Sequence, residues 1–427
     1  MNSYYKKIYS YKESIFFIFY FTILVGYFFN EDTLGGAKPD FLYHFILSEK
    51  FSNNFFQTLR DFGDKNAAAI TRNSPIFWII IGFLNKIFSL ETIRLLNTLC
   101  PIFISLVFYK CLQLKYKNQK KIFLILLSSV IFLSPTIRSL SIWPYSLIWG
   151  LLLFTISIYF FLKFENNNNE KISFLLSLKL LSCLILSSYI YPSFGIFCIY
   201  YYYYFYKKFG ISKYFFYLLL YSVLLSLPAI YYIFTKDVLK IFNDAQGLDI
   251  ELSQAYNLSN KIMIISTMFL FFILPIINWR KTLIEFKKTN HRILIFIFIF
   301  SFINIYFFNF PYIEGGSWGG GFFHKLSNML FYNNFVFYIS FVLSIFIIYF
   351  VLFKKWNNYL LLILLIAFNP QFTIYNKYFD PLIYILFLTL FQLNMDKHFF
   401  RKKYKIFQLY FLFTGYLTMA FLKNYWL

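Results

Sequence analysis

Apolar residues recur along this chain from Ile15 to Phe421 in runs broken by short polar stretches. Many runs are roughly 17–25 residues long, enough for an α-helix to cross about 30 Å of hydrocarbon. The pattern predicts an all-α polytopic membrane protein, one multi-pass domain over 1–427 with thirteen spans. They fall near 15–29, 95–111, 122–134, 143–162, 172–188, 191–206, 214–234, 262–278, 293–308, 335–353, 358–368, 382–394 and 406–422. The stretch 75–90 is also apolar, but Asn85 and Lys86 interrupt it and Glu91 and Arg94 follow. Only one crossing fits before Lys115, Lys117, Lys120 and Lys121, so 75–90 reads as a helix lying in the interface. Phe41, Phe45, Leu47, Phe51 and Phe55 are spaced for a second such helix. Residues 30–94 are therefore expected to form a first outer loop with interfacial helices.

Composition strengthens this reading. Of 427 residues, 59% are hydrophobic and 14% charged, more apolar surface than a soluble fold of this size can bury. The first apolar run follows Lys6, Lys7 and Lys12, is too long for the core of a signal peptide and lacks a small-residue cleavage site. The net charge of +22 would suit a nucleic-acid partner, but most lysines and arginines fall in short loops on one face. That bias marks the cytoplasmic side and places the N-terminus there, so no nucleic acid is expected. The acids collect on the opposite face. Cys100, Cys111, Cys183 and Cys198 lie in or beside spans with no metal or disulfide spacing. Abundant Phe, Tyr, Ile, Asn and Lys point to AT-rich coding, so Tyr200–Tyr204 reads as composition within a span. The expected setting is the plasma (inner) membrane of a bacterium, with the working face on the periplasmic or outer side.

The outer segment after the first span is the most acidic, with Glu31, Asp32, Asp40, Glu49, Asp61 and Asp64. Carboxylates at the mouth of a membrane bundle are costly to keep there and point to a site. Glu31 and Asp32 can cap the helix exit or supply a carboxylate to chemistry. Asp40 follows Pro39 and suits a helix start. His44, four residues on, shares its helical face, and a carboxylate near an imidazole suits a general base. Asp61 and Asp64, near Arg60 and Lys65, read as a solvated turn. Ser74-Pro75 reads as a helix start with proline at its first position. Five of the fifteen glycines fall within 315–321. Such a loop lets backbone approach a ligand, and His324 and Lys325 just beyond can hold an anion. The polar stretch Asn369–Pro381, carrying Lys377, lies between two short spans, where broken apolar segments often line a site.

A cytoplasmic N-terminus, one span, a long acidic outer loop and about a dozen further spans resemble the GT-C glycosyltransferases. Members include the protein mannosyltransferases and aminoarabinose transferases, which use polyprenyl-phosphate-linked sugars. Asp40-Phe41-Leu42-Tyr43-His44 is similar to the acidic first-loop segment of that family. Asn73-Ser74-Pro75-Ile76-Phe77-Trp78 is similar to its His-Pro-Pro-Leu-Tyr-type segment, with Asn73 and Ser74 in place of His-Pro. Arg94-Leu95 stands where the family often has Arg-Leu. The glycine-rich loop with His324 and the 375–381 stretch are similar to segments of dolichyl-phosphate-glucose-dependent glucosyltransferases.

The resemblance implies an inverting transfer to a lipid or glycan acceptor, in which a first-loop carboxylate takes the acceptor proton. Asp40 is the expected base, with Glu31 or Asp32 next. His44, Arg72, Arg138, His324, Lys325 and Lys377 are the expected contacts to the donor phosphate and substrate. Some such enzymes use Mg or Mn and others do not, and no compact ligand cluster stands out here. The alternatives are a lipid-linked glycan transporter or flippase, and a polysaccharide polymerase or ligase. A transporter would place ionisable groups within its spans, whereas here they sit at span ends. A polymerase or ligase is expected to carry its main loop later, rich in arginine.

Overall fold

The computed structural model describes residues 2–62, 74–235, 257–312, 319–352, 355–369, 373–393 and 403–425. Among them every regular element is helical, and the one β-bridge pairs Gly319 with Ile374. The chain divides into two compact units, Met1–Leu248 with Tyr410–Leu427, and Asp249–Leu409.

The first unit opens with α1 (Asn2–Phe28), α2 (Ala37–Asn53), α3 (Phe55–Asp61), α4 (Pro75–Asn85), α5 (Leu90–Asn97) and α6 (Cys100–Lys115). It continues with α7 (Lys121–Ser129), α8 (Pro135–Ile142), α9 (Ser146–Glu165), α10 (Glu170–Ile190), α11 (Cys198–Phe209) and α12 (Lys213–Thr235). Local signals set several starts. Ser74 caps α4, with Pro75 in its first turn, where no backbone N–H is needed. Ser89 caps α5 and Ser134 caps α8. Pro135 ends the approach from α7, and the helical segments on either side of it meet at 64°.

The second unit holds α13 (Leu258–Ile273), α14 (Trp279–Lys288), α15 (His291–Tyr306), α16 (Gly321–Phe331), α17 (Phe335–Leu352), α18 (Trp356–Ala367), α19 (Asn376–Phe379) and α20 (Leu382–Thr389). Helix α21 (Lys403–Tyr425) starts here and ends in the first unit.

Among the described residues six helices are long and apolar enough to cross a membrane: Leu90–Lys115, Ser146–Glu165, Glu170–Ile190, Lys213–Phe234, Phe335–Leu352 and Tyr404–Tyr425. Two bent pairs, Lys121–Leu133 with Pro135–Ile142 and Trp279–Lys288 with His291–Tyr306, raise the number to eight. The protein is thus an all-helical membrane protein. The expected span at 382–394 is realised as the eight-residue α20, only about 12 Å long at 1.5 Å per residue. The expected span at 191–206 begins as a 3-10 turn over Pro192–Phe197 before α11. Tyr200, Tyr201 and Tyr204 pack there around Phe161, as core.

Helices α2 and α4 form a pair within the first loop. Of the expected apolar stripe, Phe41, Phe45, Leu47 and Phe51 are buried on α2, whereas Phe55 is half-buried and opens α3 after a break at Asn54. Helix α2 meets α4 closely, and a Cβ on Gly82 would lie 2.6 Å from the Ser48 carbonyl oxygen.

Helix ends in the first unit gather into two groups. At one end Lys117 Nζ donates to Asn166 Oδ1 (3.0 Å) and Lys208 Nζ to the Phe164 carbonyl (2.7 Å). At the other end Asn30, Glu31, Arg94, Arg138, Trp143, Asn424 and Tyr425 join one network, described next.

Candidate functional site

The first loop is tied down where α1 ends. Glu31 and Arg138 form a buried, two-pronged ion pair, Nε to Oε1 at 2.7 Å and Nη2 to Oε2 at 2.6 Å. Arg138 spends its remaining bonds on Thr22, through Oγ1 (2.9 Å) and the carbonyl oxygen (3.0 Å). A planar guanidinium suits this fork. Gly26 makes room, since a Cβ there would run into Glu31 Oε2. The Trp143 indole N–H donates to the Glu31 carbonyl at 3.1 Å. The Arg94 guanidinium stacks on the same indole at 3.7 Å and binds Asn30 Oδ1 (2.7 Å) and Glu91 (3.0 Å). Asn30 sits at φ +52°, a left-handed turn that asparagine tolerates and that sends the chain out of α1.

Asp32 has a different task. Its Oδ1 accepts from the Gly35 N–H (3.1 Å) and its Oδ2 from the Lys38 N–H (2.9 Å). It therefore satisfies open donors at the start of α2, whose N-cap, Gly36, offers no side chain. Its own N–H donates to the Tyr425 hydroxyl at 2.6 Å. Thr33 Oγ1 bonds Ser139 (2.8 Å), and the Thr33 carbonyl accepts from Asn424 (2.6 Å).

Asp40 lies half-buried in the first turn of α2, inside the helix. The cap expected of it is provided by Asp32. Its neighbours Phe41 and Lys38 both meet Trp143, the ring at 6.1 Å and the ammonium at 5.5 Å. His44 stands one turn on, its ring 5.4 Å from that of Trp78. The Asp40–His44 spacing on one helix is as expected. Asp61 accepts from Gln57 (2.8 Å), a local surface contact.

The other candidates belong to the second unit. Gly320 N–H donates to the Ile374 carbonyl (2.9 Å), joining the glycine-rich loop to the stretch before α19. His324 is 1% exposed and ringed edge-on by Phe308, Phe310, Tyr312 and Phe337. Burial, then the charge of Lys325, pushes its pKa down to about 4, so the imidazole is neutral near pH 7. Lys325, the fifth residue of α16, is half-buried. Lys377 rests against Tyr375 (5.1 Å) and Tyr378 (5.9 Å). Arg72 and Asn73 lie outside the described residues, as do 314–318 and 370–372.

Trp143, Gly26, Thr22 and Lys38 were not singled out by sequence. Trp143 and Thr22 work through partners more than a hundred positions away and Lys38 through a ring far along the chain, while Gly26 works through Glu31 only five residues on. Among the described residues no three His, Cys, Asp or Glu side chains gather as a metal site. No protein-family model, curated protein or solved structure matches the chain.

Proposed function

We propose that this chain is a membrane glycosyltransferase of the GT-C type. It moves a sugar from a polyprenyl-phosphate donor to a hydroxyl of a lipid or glycan acceptor, with inversion, on the non-cytoplasmic face of the membrane. Asp40 is the general base. It takes the hydroxyl proton, the oxygen bonds to the anomeric carbon, and the sugar–phosphate bond breaks so that the phosphate leaves on its lipid.

The observation that supports this choice is the place of Asp40, half-exposed in the first turn of α2 on the face that carries His44. Glu31 is held in a buried ion pair, and Asp32 has both oxygens on backbone N–H groups. Asp40 is half-exposed, with His44 one turn away and Lys38 beside it. Lys38 is the nearby cation suited to a leaving phosphate, because Arg138 and Arg94 are engaged with Glu31, Thr22, Asn30 and Glu91. Membranes bearing the protein should transfer sugar from at least one member of a polyprenyl-phosphate-sugar panel. Asp40→Asn should lower that rate about 10²–10⁴-fold, the usual contribution of a general base. Unchanged transfer by Asp40→Asn would remove Asp40 as base, and no transfer by the native chain from any donor would remove the transferase reading.

A further inference from the structure

In the second unit a largely buried lysine, an imidazole without a hydrogen-bond partner among the described residues and an uncapped helix start lie on two helices that pack together. Lys261, on α13, is 9% exposed. Among the described residues it has no carboxylate partner. A lysine that is largely buried is stabilised by negative charge close to it. Lys261, Ile264 and Met268 share one face of α13 by their spacing. That face receives the start of α16, since a Cβ on Gly321 would lie 3.3 Å from both Ile264 and Met268.

Helix α16 begins at Gly320 with no side-chain cap. Gly319, Gly320 and Gly321 have φ of +99°, +94° and +77°, a run that side chains rarely adopt. A helix start of this kind offers backbone N–H groups and the positive end of the helix dipole. The His324 ring is turned toward the same point, because a Cβ on Gly320 would lie 2.5 Å from its Nδ1. Neither ring nitrogen of His324 has a hydrogen-bond partner among the described residues. A neutral imidazole carries one N–H, and a buried donor is ordinarily satisfied.

We propose that the start of α16, with His324 and Lys261, binds a phosphate-type oxyanion, presented either by a lipid headgroup or as free phosphate. The helix start and the His324 N–H donate to its oxygens, while Lys261 balances its charge. As a subsite for the donor's phosphate it rests on the transfer reading, but the binding itself requires no sugar and no base.

The test uses the full chain in phosphatidylcholine nanodiscs. One arm titrates inorganic phosphate, and the other adds a short-chain polyprenyl phosphate to the bilayer. Saturable binding is expected in at least one arm. Saturation by both means that the oxyanion alone is read, and saturation by the lipid alone identifies a headgroup site. His324→Phe, which fits the aromatic ring of neighbours, and Lys261→Met should each weaken binding tenfold or more. Lys261→Arg should retain it, and Lys287→Met on α14 should leave it unchanged. If Lys261→Met does not fold, His324→Phe and Gly320→Ala decide the matter. No binding in either arm, or binding indifferent to His324→Phe, overturns the proposal. Loss of transfer in Asp40→Asn with binding intact separates the two readings.

Discussion

At the scale of single residues, the strongest constraint is the Glu31–Arg138 pair. Removing one partner leaves a buried charge uncompensated, which typically costs about 3–5 kcal/mol. Arg138→Met and Glu31→Gln should therefore each lower the thermal midpoint in detergent sharply, and the double variant should lose less than their sum. Gly26→Ala should give a similar loss, because the new Cβ occupies the place of Glu31 Oε2. His324 supplies a pH signature. Its native pKa of about 4 lies below the ordinary 6.5, so the unfolded chain binds the extra proton first. The stability it supports is whole above about pH 6.5 and falls as pH drops toward 4, by about 2 kcal/mol at pH 5. Melting curves at pH 7.5 and 5 should show that fall in the native chain and a smaller one in His324→Phe. The importance of Glu31 and Asp32 was legible in the sequence from their place after the first span. Their separate roles were not, because Arg138 is over a hundred positions away and the capped backbone belongs to the next helix.

At the scale of elements, periodicity located most helices and missed α8. Thr136, Arg138, Ser139 and Ser141 make 135–142 look like an outer loop, yet the helix is fully buried. Its polar groups find partners in the first loop and α1, with Thr33 on Ser139 and Glu31 and Thr22 on Arg138. Local pattern cannot reveal a helix made burial-competent by distant partners. The α2–α4 pair was legible as two apolar stripes, but not their contact with each other. Gly82 is the key to that contact. A Cβ there meets the Ser48 carbonyl at 2.6 Å, and a backbone oxygen cannot swing aside. Gly82→Ala should cost about 1–3 kcal/mol through overpacking, seen as a lower thermal midpoint and faster limited proteolysis in the first loop. Gly150→Ala should also be destabilising, because Tyr191 Cβ, fixed to its backbone, would lie 2.9 Å from the new Cβ and the buried Phe194 ring 3.0 Å.

At the scale of the whole molecule, the charge pattern predicts which loops share a side, and the first unit bears on that directly. Loops read as cytoplasmic meet at one end, through Lys117 with Asn166 and Lys208 with Phe164. Segments read as outer meet at the other, through Asn30 with Arg94, Glu31 with Arg138, and Thr33 with Asn424. Charge bias carried this arrangement because it is a global property of short loops. The length of each crossing is instead set by local breaks such as Pro135 and Pro192, and these divide runs that hydropathy alone would join. The bias further predicts that the Glu31 end lies on the non-cytoplasmic side, a requirement of the proposed transfer. In a background with Cys100, Cys111, Cys183 and Cys198 replaced by Ser, Ser89→Cys should react with a membrane-impermeant thiol reagent in intact cells. Asn168→Cys, exposed at the opposite end, should react only after permeabilisation. The reverse outcome would place Asp40 in the cytosol, where no acceptor on the outer face could reach it, and the glycosyl-transfer proposal would fall with the topology.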